Sequence, residues 1–145
     1  MKYFAKGFLV SGIVVSFAFV MHNHSDKNGK GATNYATQVI RVSLDPSGNG
    51  LILDDGKNKG GNITTKVNKK TVIKWRLDNQ SGITSLDSIV SKNGVDLFDM
   101  KPSKENDKLL TGRIGDFPSG TEEEYGIWYS VDGVSYMHDP KIQIH

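Results

Sequence analysis

Hydrophobic and polar residues alternate along three stretches of the chain, and these set the expected architecture. In 124–131, Tyr125, Ile127, Tyr129 and Val131 are separated by Gly126, Trp128 and Ser130. In 139–145, Ile142 and Ile144 alternate with Lys141, Gln143 and His145. In 71–77, Ile73, Trp75 and Leu77 fall on one side and Lys74 and Arg76 on the other. A period of two belongs to half-buried β-strands, whose successive side chains point to opposite faces. The three stretches are expected to form the core.

The same habit predicts a first strand over 37–44, with Ile40, Val42 and Leu44 inward, and a second over 51–53. Between them, 45–50 (Asp-Pro-Ser-Gly-Asn-Gly) is turn chemistry at every position. The glycine- and lysine-containing stretch 54–62 reads as a loop, and 78–82 as a turn. Ile83, Leu86, Ile89 and Val90 have spacings that fit one helical turn or a bent strand. Lys92-Asn93-Gly94 signals a hairpin, which makes 95–98 a returning strand. The polar stretch 100–107, with Pro102, reads as a loop, and 108–114 as a short irregular strand. A turn at 117–121 leads to the last strands, with Asp132-Gly133 closing one and 134–137 making a short pairing. Short strands with turns between them, no long helix and no internal repeat predict an all-β fold, an antiparallel β-sandwich.

The N-terminus departs from this pattern. Lys2 and Lys6 precede an uncharged apolar run over 7–21, the order of a secretory signal peptide and short for a membrane span. The expected organisation is a signal peptide over 1–21, a flexible polar leader over 22–34, and a single domain over 35–145, secreted or periplasmic. Membrane contact is expected only through the N-terminal segment, if it is kept. The two signal lysines belong to the 18 basic residues; without them the balance against 16 acidic residues is zero, so no global field would draw in nucleic acid. The chain has no cysteine, which excludes a disulfide framework and a lipid-attached cysteine.

Candidate chemistry is sparse. Asp45, Ser47 and Asn49 before Gly50 resemble the start of a calcium loop, but its twelfth position is Gly56 where a bidentate glutamate is needed. Between 57 and 76 there are several basic residues and no acidic one, so Lys74 and Arg76 make an outward cationic stripe suited either to an anionic partner or to guarding a sheet edge. Glu122, Glu123 and Glu124 read as solvated turn residues. No nucleophile elbow or phosphate-binding glycine pattern occurs. Trp128 faces away from its strand's apolar neighbours, so it is expected either to be covered by the 92–117 segment or to form a recognition surface with Tyr136.

The run 71–79, a strand ending in an Asn-containing polar turn, and the closing pair 125–129 and 141–144 with Met137-His138 between them, resemble the cupredoxin-like β-sandwich family in its metal-free relatives. An immunoglobulin-like topology fits the same alternation. The resemblance implies no electron transfer here, because a blue copper site needs a Cys thiolate with two His and the chain has no Cys. It leaves His138, with His145, as the candidate ligands of a non-standard copper or zinc site. The reading of the whole is an exported, non-catalytic binding module without a cofactor. Its partner is expected to be a protein or glycan, contacted by Trp128, Tyr136, Lys74 and Arg76. Metal handling by His138 and His145 is the alternative.

Overall fold

The computed structural model describes residues 33–145; the expected signal peptide and most of the leader lie outside the described residues. The described residues form eleven strands: β1 (Thr37–Leu44), β2 (Leu51–Asp54), β3 (Lys59–Gly60), β4 (Thr64–Val67), β5 (Val72–Leu77), β6 (Ser85–Ser91), β7 (Phe98–Asn106), β8 (Leu109–Ile114), β9 (Glu122–Val131), β10 (Val134–His138) and β11 (Lys141–Ile144). No helix occurs among the described residues. One sheet has the order β3-β2-β1-β5-β8-β7. In the other, β9 carries β6 on one edge and β10 followed by β11 on the other, and β11 pairs with β4. The fold is all-β and sandwich-like, with apolar faces of both sheets in one core cluster.

The sheets are mixed, not purely antiparallel as expected. β1 pairs parallel with β5, Ile40 opposite Trp75, and β4 pairs parallel with β11, Thr65 opposite Ile142. Strands adjacent in a sheet but distant in sequence are joined by crossovers, not hairpins, and alternation within a strand is the same for either direction.

Trp75 and Tyr125 link the sheets. Trp75 is fully buried, its ring centroid 5.8 Å from those of Phe98 and Tyr125, and its Nε1–H donates to the Tyr125 hydroxyl at 3.2 Å. An indole N–H and a phenol both need a partner when dry, and here each supplies the other's. Burial pushes the Tyr125 hydroxyl well above the usual tyrosine range.

Of the two readings open for 83–90, the bent strand holds: residues 85–90 belong to β6, with a register shift between Leu86 and Ser88 that gives its apolar residues their uneven spacing. Three local expectations are corrected. Residues 95–97 form no returning strand, because β6 pairs with β9 instead. The 100–107 stretch is not loop: most of it belongs to β7, whose three register irregularities accommodate Pro102 on a sheet edge. The glutamates open β9, and Glu123 is only 1% accessible, on the same face as Tyr125 and Ile127.

Candidate functional site

The Asp132-Gly133 turn, with φ of 49° and 81°, is a two-residue hairpin whose backbone matches the strand twist. In such a hairpin the flanking residues Val131 and Val134 form a hydrogen-bonded pair, as do Tyr129 with Tyr136 and Ile127 with His138. The N–H and C=O groups of Ser135 and Met137 consequently point away from β9. β10 pairs only with β9, and no turn or loop backbone group bonds Ser135 or Met137 among the described residues. Val134, Tyr136 and Met137 on this edge retain 54%, 46% and 41% of their full accessibility.

Trp128 and Tyr136, expected to form one surface, lie on opposite faces of the hairpin. Trp128 is opposite Met137 and Ser88 on the outer face, whereas Tyr136 is opposite Tyr129 on the core-facing side. The alternative, burial under the 92–117 segment, is not met among the described residues either: Trp128 stays 37% accessible. Its patch continues through Met137 to Val90 across Gly126, where a Cβ would come 2.9 Å from Met137 Sδ and 3.1 Å from Val90 Cγ2. Glycine lets both side chains settle onto the strand. On the other face Tyr136 stacks on Tyr129, centroids 5.6 Å apart and planes at 25°, beside a cleft of about 170 Å³ lined by Leu44, Gly48, Gly50 and Val131.

No family model and no curated protein matches this chain. Its function is accordingly read from geometry.

The two candidate metal ligands are not brought together. His138 Nε2 lies 2.7 Å from the Gly61 carbonyl and Nδ1 is 3.4 Å from Leu51 N; the tautomer protonated at Nε2 satisfies both contacts. The ring thereby ties β10 to the β2 and β3 end of the other sheet. His145 follows β11, where Gln143 is opposite Glu122 while His138 is opposite Ile127. The two histidines are separated by more than five strand residues, roughly 17 Å or more. Among the described residues no group of three or more His, Asp or Glu could hold a metal ion. The 45–50 loop is a turn: Asp45 Oδ1 accepts the Ser47 N–H at 2.9 Å, and that bond holds the Asp45 carboxyl below its ordinary range.

Lys74 and Arg76 sit on β5, between β1 and β8, so they guard no edge. Arg41 is directly opposite Arg76, and with Lys108, Asp78 and Asn79 these arginines line a groove of about 450 Å³. None of Arg41, Lys74, Arg76 and Lys108 has an acidic partner within 4 Å among the described residues. The stripe is real but separate from the apolar edge, in the other sheet.

Glu123 was not singled out as a site by its sequence. Its Oε2 accepts the Leu97 N–H at 2.8 Å and so fixes the segment entering β7. Burial pushes its carboxyl above the ordinary glutamate range, against the Leu97 hydrogen bond. Extending the Tyr125, Ile127, Tyr129 alternation two residues back places Glu123 inward.

Proposed function

We propose that this protein is a non-catalytic interaction module that accepts an extended polypeptide segment along β10. One observation carries the reading: among the described residues, five of the seven large hydrophobic side chains left exposed, Val90, Trp128, Val134, Tyr136 and Met137, lie on or beside this one hairpin, whose edge has backbone groups that no other described strand or loop pairs. Strand addition uses such groups for affinity and alternate side chains for specificity. Tyr136 on one face and Met137 with Trp128 on the other would grip the incoming strand from both sides. Export through 1–21 and kinship with metal-free cupredoxin-like sandwiches belong to the same proposal, supported by the charged-then-apolar N-terminus and the strands at 71–79 and 125–144. Metal handling has less support, because both His138 ring nitrogens face backbone partners.

The test is amide exchange at Ser135 and Met137 in dilute protein while an uncharged alternating Thr-Val peptide is added. Protection of both amides, with a blue shift of Trp128 emission, is expected. Fast exchange of both amides at every protein concentration and with every added strand would contradict the reading.

A further inference from the structure

We infer that the strand accepted by β10 is β10 of a second copy, paired antiparallel about a two-fold axis through Tyr136. This rests on the strand-addition reading and names its partner. The free groups lie one residue to either side of Tyr136, on Ser135 and Met137, so the edge presents the same arrangement from either direction. In the two-fold register Ser135 is opposite Met137 of the second copy and Val134 is opposite its His138. Ser135 and Met137 are then the hydrogen-bonded pair, each N–H donating to the other residue's carbonyl, and the symmetric pair repeats this.

Charge favours this occupant. A charged side chain on or next to a two-fold axis lies opposite or diagonal to its own copy, and like charges across strands are destabilising. Val-Ser-Tyr-Met-His carries no acidic or lysine side chain, whereas β3, β4, β6 and β7 at the other sheet edges carry Lys59, Lys66, Asp87, and Lys101 with Lys104. Beyond the strand, Asp139 falls opposite Gly133 and is already paired with Lys92 at 2.5 Å. Asp132 falls opposite Pro140, not another acid. The two Tyr136 residues form the close, non-hydrogen-bonded pair, with Cα atoms about 4.5 Å apart. They would extend each Tyr129–Tyr136 stack into a row across the axis.

The absence of native cysteine makes the register directly testable. A separation of about 4.5 Å is within disulfide reach, so Tyr136→Cys in a glutathione redox buffer is expected to become mainly a covalent dimer. Ser135→Cys, whose two copies would stand diagonally about 7–8 Å apart, and Lys101→Cys on β7 are expected to stay mainly uncrosslinked. Because Tyr136→Cys also removes a stacked ring, the unmodified chain is weighed by sedimentation equilibrium beside Ser135→Pro. That proline deletes an outward N–H and leaves the bonds to β9, so dimer mass is expected for the former and monomer mass for the latter. A monomeric unmodified chain, together with no crosslinking of the Tyr136→Cys variant, overturns self-pairing. If the Thr-Val peptide then protects the Ser135 and Met137 amides, strand addition stands with another partner; if it does not, both readings fall.

Discussion

β7 and β10 are both edge strands, and they solve the edge problem in opposite ways. β7 breaks register three times, contains Pro102, and is laced with charge: Lys101 pairs with Asp96, Lys104 with Asp107 at 2.8 Å, and Asp99 with Lys70 and Arg113 at 2.8 and 2.7 Å. Bulges, proline and lysine are the devices by which natural sheets refuse another strand. β10 has an unbroken register, a tight turn and no such device, and it exposes apolar side chains on both faces. Exposed ion pairs of the β7 kind add little stability, a median of about 0–1 kcal/mol each, so their value at β7 lies in exclusion more than in holding the fold. The difference teaches that the absence of guards on β10 is particular to that edge among the described residues, because the same chain guards β7 heavily and places Lys59 on β3, Lys66 on β4, and Asp87 with a bulge on β6.

The largest expected effect separates the core that anchors β7 from the surface beside β10. Trp75→Ala, which removes a ring packed on Phe98 at the start of β7, is expected to cost about 3–5 kcal/mol in denaturant unfolding. Trp128→Ala on the outer face should cost under about 1 kcal/mol. Equal costs for the two would show that the outer ring is core after all.

Removing the guards is the next test. Lys101→Val, Pro102→Thr and Lys104→Val together should make β7 sticky, seen as concentration-dependent mass in light scattering. A soluble triple variant whose mass stays that of the parent would mean that β7 is closed by something other than charge and proline.

Glu123 sharpens the comparison from within, because it ties the segment entering β7 to β9. Its carboxyl is raised by burial, so the folded chain holds that proton more tightly than the unfolded chain. The stability of the parent relative to Glu123→Gln should therefore be highest below the ordinary glutamate range and fall as pH rises through the raised value. The difference between the two chains isolates this group from Asp99 and Asp116, whose carboxyls hydrogen bonds from Lys70 and Lys69 hold low and whose stabilisation is lost as pH falls. A difference flat with pH would contradict the burial.

The smallest effect concerns β8, which β7 covers. Thr111 Oγ1 is buried without a partner, so Thr111→Val should leave thermal stability unchanged or raise it by up to about 1 kcal/mol. A loss would reveal a hydrogen bond made by that hydroxyl.

The interior of this fold was readable from its residues. Alternation located β1, β5, β9 and β11, because a half-buried strand writes its two faces into the sequence. β7 was not readable: most of it past Phe98 is exposed, so its pattern is that of a polar loop. β6 was blurred by one bulge, and parallel pairing leaves no local trace. At the candidate site, the Asp132-Gly133 turn and the outward Trp128 were legible. The separation of Trp128 from Tyr136 required the register, and the openness of β10 required the order of strands in a sheet assembled from distant segments. Lys74 and Arg76 were correctly turned outward, but only the sheet order shows that β5 is interior and that Arg41 and Lys108 join them.

The most direct measurement is the exchange rate of the Ser135 and Met137 amides before and after a single guard is introduced by Met137→Lys. A strand held on β10 predicts slow exchange at both positions in the concentrated parent protein and fast exchange in the variant, with global stability changed by less than about 0.5 kcal/mol. Equally fast exchange in both proteins at all concentrations and with every added strand would contradict the claim that this edge exists to be paired.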